Sequence, residues 1–422
     1  MMKACLNDVL KTATFRQSSI TFSGTFINGL LGALFYILTA RFLGPSDFGI
    51  LIIAITALTL VADISELGVG TGLVRFVGSA LADQRQKAYR FLKLGLEIKI
   101  ILAVSLAILG WLVAHEVAVG IFQKEALAIP LQVAFLGVSG MILFTFSTHA
   151  FQAFQKFWYW SNIQVGTNAL RVGVVVLLMS LGQLNLISSL ITYISMPFIG
   201  FTVSLIFLPK QFLKVQKEYL VLREFFHYSK WVALFTLIAA ISARLDTFIS
   251  ARLLPTAEVG FYGAATQLVT VIPQIVVSLH TVVAPKMAAM GSKQDLIAYM
   301  KKVALLTIAL AGVILLVSPL VVLLIPLLYG NAFATTVPLL FMILLVAMLV
   351  FLVSVPMHMS VFYYFSYPQL FVWIALGHLI IIGILGWQMI SLYGAIGAAI
   401  TVLAGAIFNF VVPLVWVLNK LK

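Results

Sequence analysis

Five charged residues stand well inside apolar stretches: Asp63, Glu66, Arg171, Arg244 and Asp246. A charge within a membrane-type stretch is costly and marks a functional site by default. Asp63 and Glu66 are three apart, so a continuous helix puts both on one face. Two carboxylates in low dielectric repel and are desolvated, the arrangement a proton-coupling site requires. The alternative is that both pair with Arg75, Arg171 or Arg244. Arg244 and Asp246 are two apart and point to different faces, so they do not easily neutralise each other. At least one needs a partner from another helix or from a ligand. Arg244 is 14 residues beyond Lys230, ~21 Å along a straight helix. Arg171 lies roughly 10 Å into a helix that starts near residue 165. There it either lines a cavity or snorkels to the interface. Glu97 is four beyond Lys93 and reads, with Lys99, as a surface pair.

The elements that carry these charges follow from composition. Of the 422 residues, 62% are apolar and only 9% charged, against about 25% charged in soluble domains. Mean hydropathy is +1.13. Backbone in lipid must satisfy itself, and the apolar runs are too long for barrel strands, so the spans are helices. The fold class is an all-α polytopic membrane protein. Twelve spans are expected, near 18–40, 48–70, 94–114, 127–149, 165–183, 187–208, 231–250, 259–283, 303–325, 335–356, 369–389 and 393–416. They divide into an N-terminal six-helix lobe (1–208), a linker (209–230) and a C-terminal six-helix lobe (231–422).

Lys and Arg gather in the N-terminus, the 2–3 loop, the linker, the 8–9 loop and the C-terminus, and the alternate loops hold few. The positive-inside rule then puts both termini in the cytoplasm. The net charge of +13 follows from this topology, and its scatter over separate loops speaks against nucleic acid. Cys5 is the sole cysteine, so no intrachain disulfide forms. No cleavable signal peptide is expected, since residues 1–17 carry four charges and no apolar core.

"ARFLGPSDFG" at 40–49 is echoed by "ARLLPTAEVG" at 251–260, 211 residues later and half the chain length. With six spans per half, both copies join a first and second span on the same face. The repeat is parallel, as in several transporter folds. Gly44, Gly49 and Gly260 allow tight turns and close approach. Pro45 and Pro255 suit a helix start. Asp47 and Glu258 lie where a carboxylate caps free N–H groups, and Arg41 and Arg252 end the preceding helices. These are architectural residues. At the same offset Asp63, Glu66, Arg244 and Asp246 fall on Gln274, Val277, Ala33 and Phe35. The turns are duplicated and the buried charges are not, which suits charges that serve a pathway.

Three stretches resemble the Wzx-like polysaccharide or oligosaccharide flippases of the multidrug/oligosaccharidyl-lipid/polysaccharide exporter superfamily. They are "ARFLGPSDFG" with the later "ELGVGTGLVR", "ARLDTFISARLLPTAEVGFYGAATQ" with the Ala-Pro before Lys286, and "LYGAIGAAITVLAGAIFNF". The resemblance implies a MATE-like fold of two lobes around a central cavity. It implies alternating access that moves an undecaprenyl-pyrophosphate-linked oligosaccharide between leaflets of a bacterial inner membrane. On that footing Arg244, Arg171, Arg75 and Lys286 are the cations for pyrophosphate, and Asp63, Glu66 and Asp246 the ion-coupling acids, for H+ or Na+. Arg75 and Lys286 also fit as ordinary positive-inside residues.

Other chemistry is thinly represented. The histidines are widely spaced without cysteine partners, so no metal site is expected, and they read as interfacial or packing residues. The aromatic stretches 151–160 and 362–368 belong at headgroup level. There is no P-loop and no G-x-S-x-G, and no cofactor is expected. Two alternatives stand beside the flippase: an ion-coupled multidrug or small-cation antiporter, and a membrane glycan polymerase or acyltransferase. The first needs an acidic cavity, and the second a sizeable loop or a clustered acid/base set. Expected partners are the lipid-linked glycan, membrane lipids and, for the linker, a polymerase or other glycan-assembly protein.

Overall fold

The computed structural model describes residues 13–81, 83–216, 233 and 236–421. Helices account for nearly all of them, and no strand occurs among the described residues. In chain order they are α1 (Ala13–Ile64), α2 (Val69–Ala80), α3 (Arg85–Glu116), α4 (Ala128–Ala153), α5 (Phe157–Ser180) and α6 (Leu186–Phe207). There follow α7 (Leu245–Leu253), α8 (Thr256–Val269), α9 (Val271–Ala288), α10 (Lys293–Tyr329) and α11 (Val337–Val353). The last three are α12 (Val355–Met359), α13 (Gln369–Ile380) and α14 (Gly386–Leu421).

Among the described residues, nine helical stretches are long and apolar enough to cross a membrane. Two of them hold a break. In α1, Gly44 takes φ 75° and ψ 173°, and in α14, Gly394 takes φ 61° and ψ −141°. A positive φ is open to glycine at no steric cost. The predicted first and second spans are thus two helices that meet at the Gly44 break. The start of the predicted seventh span, with most of the linker, lies outside the described residues. Its remainder is helical over 236–242, turns at 243–244 and resumes as α7. On α10, Leu305, Leu316 and Leu323 are 71%, 83% and 75% exposed. Their spacing puts them on one face, an exposed apolar face of the kind that meets a membrane or a partner.

The described residues form two compact units, one from Met1–Phe35 with Ala54–Ala240, the other from Tyr36–Ile53 with Ile241–Lys422. In the first, α2, α3 and α4 share a core of Val69, Leu73, Phe76, Phe91, Phe146 and Phe151, with Phe76 and Phe91 stacked at 4.9 Å. In the second, Phe333 gathers Phe48, Phe261 and Tyr329 at ring separations of 6.2, 5.5 and 5.7 Å.

The two echoed decapeptides pack against each other within the second unit. Each runs as helix, break, helix, with the break at Gly44 in one and at Leu254–Pro255 in the other. A Cβ on Gly49 would lie 1.8 Å from the Thr256 carbonyl oxygen, and one on Gly260 would lie 2.1 Å from that of Pro45. Thr256 is the repeat counterpart of Pro45, so the contact is reciprocal, as across a two-fold axis.

Two charges of the decapeptides act differently from the sequence expectation. Glu258 does not cap its own helix. Its carboxylate accepts the N–H of Ala395 at 3.1 Å, a donor freed by the Gly394 break. Arg41, in the last turn before the Gly44 break, donates to the Leu327 carbonyl in the last turn of α10. Anion at a helix N-terminus and cation at a C-terminus are the favoured pairings with the helix dipole; here they join separate helices.

Candidate functional site

The first cluster forms where α1 stops. Residues 65–68 are turns, with Leu67 at φ 44° and Gly68 at φ 71°. The helix therefore does not carry Asp63 and Glu66 along one face, and the paired-carboxylate reading gives way to a different arrangement. Glu66 Oε2 accepts from Lys99 Nζ at 2.6 Å, and Oε1 accepts the Gly70 N–H at 2.6 Å. His149 Nδ1 stands 3.9 Å from Oε1 and 2.9 Å from the Thr145 carbonyl. None of the three arginines suggested by the sequence is the Glu66 partner. Lys99 is fully buried, so the expected surface pair with Glu97 is also corrected. Since α3 begins at Arg85, Lys99 lies about four turns along it. A side chain on Gly70 would overlap both Glu66 and His149. Gly70 of "ELGVGTG" thus makes room for the cluster.

The second cluster is built by α1, α5 and α6 within the first unit. Arg171 lies over the Tyr193 ring at 4.3 Å and the Phe35 ring at 5.6 Å. Its Nε is buried and makes no hydrogen bond among the described residues. Three residues earlier, Asn168 Nδ2 donates to Asn28 Oδ1 on α1, while Asn168 Oδ1 is buried without a partner among the described residues. The helices come close because Gly24 faces Ser161, whose Oγ would be 1.8 Å from an added Cβ.

The third cluster is at the break before α7. Arg244 is the residue that precedes the helix, so its depth is not that of a straight helix. Asp246, in the first turn of α7, is buried. It accepts the Tyr262 hydroxyl from α8 and the backbone N–H of Thr247. Arg75 on α2 and Lys286 in the last turn of α9 are exposed.

Sequence reasoning missed Lys99, His149, Tyr262, Asn28, Asn168 and Tyr193. Lys99 was inside a predicted span, and Tyr262 belonged to a quoted motif. The others carry no signal without knowledge of which helix faces meet.

The polysaccharide biosynthesis protein family matches residues 15–291, about two thirds of the chain. The chain belongs to this family. That agrees with the resemblance to polysaccharide flippases read from its motifs. No curated protein matches the chain in sequence. Among solved structures, an inward-facing multidrug resistance MATE family transporter of the MOP superfamily aligns with TM-score 0.78 at 10% identity. The alignment covers 96% of this chain and 98% of the other. The lipid II flippase MurJ, in an inward closed conformation, aligns with TM-score 0.72 at 16% identity, over 94% of this chain and 87% of its own. A MOP superfamily transporter from Pyrococcus furiosus aligns with TM-score 0.61 at 12% identity, over 96% and 94%. At these identities the likeness is one of fold, and the fold is MATE-like.

Proposed function

We propose that this protein flips a polyprenyl-pyrophosphate-linked oligosaccharide from the cytoplasmic to the outer leaflet of a bacterial inner membrane, by alternating access, during surface polysaccharide synthesis. The observation that carries the reading is Arg171. Its guanidinium lies over two aromatic rings, with an Nε that no acceptor takes among the described residues. A guanidinium is the group best shaped for phosphate oxygens, and amide groups of Asn28 and Asn168 lie one helical turn away. Membership of a polysaccharide biosynthesis family supports a glycan as cargo.

Arg244 is assigned to pyrophosphate as well, and Arg75 and Lys286 to its first capture at the cytoplasmic side. Glu66 and Asp246 are the coupling acids, with H+ or Na+ as the ion. Asp63 remains a lesser candidate beside Glu66. The twelve spans form two six-helix lobes, 1–208 and 231–422, with both termini and the linker 209–230 in the cytoplasm. The linker is where a polymerase or other assembly protein would dock. The antiporter alternative is less well supported: Glu66 is held by Lys99 and Asp246 by Tyr262, which leaves little acid for a cationic drug.

The test is a leaflet assay in proteoliposomes with a fluorescent short-chain polyprenyl-pyrophosphate oligosaccharide. Wild type should expose the probe to an externally added lectin, and Arg171→Gln should slow that exposure at least tenfold. Equal rates for wild type and empty vesicles would contradict the proposal.

A further inference from the structure

We infer that the α1–α5 seam of the first unit is the sugar-reading subsite for the transported molecule, built by Asn28, Gln164 and Asn168. The inference rests on the flippase reading and goes beyond it by dividing recognition in two: Arg171 takes the phosphate, and the amides take sugar hydroxyl or acetamido groups.

The spacing is the first argument. Gln164, Asn168 and Arg171 follow at steps of four and three, one stripe of α5. Asn28 and Phe35 are seven apart on α1 and also share a face. The two stripes meet in rungs: Gly24 with Ser161, Asn28 with Asn168, Phe35 with Arg171. Gln164 and Asn168 stand in the polar first half of α5, with Ser161, Asn162 and Thr167, and this half meets α1 at Gly24 and Asn28.

The hydrogen-bond inventory is the second argument. An Asn side chain offers two donors and an acceptor with two lone pairs. The Asn168–Asn28 bond uses one donor and one acceptor. Asn168 Oδ1 is left buried without a partner among the described residues, a costly arrangement that a merely structural clamp would have avoided. Gln164 spends its amide donor only on the Trp160 carbonyl of its own helix, at 3.3 Å. The stripe therefore presents acceptors and donors side by side, and its next member, Arg171, lies over the ring of Tyr193. Neutral, bifunctional hydroxyls match such a surface, whereas a small apolar cation does not.

The test uses the full chain in nanodiscs and native mass spectrometry with two probes. One is farnesyl pyrophosphate, which has the phosphates and no sugar. The other is the polyprenyl-pyrophosphate oligosaccharide extracted from cells that lack the protein. Asn168→Leu and Gln164→Leu should each weaken the glycosylated probe about tenfold, the loss of one good hydrogen bond, and leave farnesyl pyrophosphate within about twofold. Arg171→Gln should weaken both. Gln164→Leu leaves the Asn28–Asn168 bond in place, so it reports on sugar even if Asn168→Leu folds poorly. Unchanged affinity for the glycosylated probe in Gln164→Leu, or equal loss of both probes in the two amide variants, would overturn the subsite while leaving the flippase reading intact. Failure of wild type to hold either probe would overturn the flippase reading and the subsite with it.

Discussion

At the scale of single residues, the Glu66–Lys99 pair makes a sharp prediction, because Lys99 is fully buried and Glu66 half-buried. A buried ion pair that loses one member leaves an uncompensated charge, at a cost of about 3–5 kcal/mol, whereas replacing both members can be nearly neutral. Lys99→Met and Glu66→Gln should each lower the thermal stability of the purified protein, and the double variant should recover most of the loss. Additive losses in that double-mutant cycle would mean that the 2.6 Å contact carries no coupling. Asp246 and Tyr262 make a parallel case. Tyr262→Phe should reduce transport more than stability if Asp246 binds the coupling ion, and a vesicle assay with and without an imposed gradient separates the two. What the sequence disclosed at this scale was which acids and arginines stand inside the apolar helical stretches; of these Asp246 is buried and Asp63, Glu66, Arg171 and Arg244 are half-buried. It did not disclose their partners, because helical spacing orders residues along one helix and says nothing of which faces of different helices meet. Lys99 shows the point: the predicted span starts near residue 94, whereas α3 starts nine residues earlier and carries Lys99 about four turns into the helix.

At the scale of elements, the glycines and charges of the echoed decapeptides hold helices together. Gly49→Ala and Gly260→Ala each place a Cβ within about 2 Å of a backbone carbonyl, which no rotamer can relieve. Overpacking of this kind costs about 1–3 kcal/mol or more. Both variants should yield much less folded protein from membranes. Gly29→Ala, with nothing within 4 Å of its added carbon, should be recovered at the wild-type level, since Ala favours a helix over Gly. Normal yields for Gly49→Ala would mean the close approach is not part of the fold. The helices themselves were plain in the sequence, as were the break residues: Gly44-Pro45 and Pro255 stop and restart helices for local steric reasons. The capping partners were not. Glu258 and Arg41 each serve a helix more than a hundred residues away in sequence, and only the packing of the second unit brings those ends to them.

At the scale of the whole molecule, composition alone sufficed for the membrane class. So little charge and so much apolar surface leave no soluble alternative. The half-length echo was also informative, because matched glycines and charges constrain turns in a way matched leucines do not. The cargo is a different matter. An arginine proposed to bind phosphate and a few amides are generic chemistry, and the particular sugar depends on the fine placement of side chains, which neither hydropathy nor repeat symmetry encodes. The central proposal is therefore best tested in the cell. Lipids extracted from a strain lacking this protein should contain, by mass spectrometry, an accumulated polyprenyl-pyrophosphate carrying a complete oligosaccharide repeat, with loss of the matching surface glycan. Wild type should clear the accumulation and Arg171→Gln should not. A lipid profile and surface glycan identical to the parent strain would contradict the assignment of a lipid-linked glycan as the transported molecule.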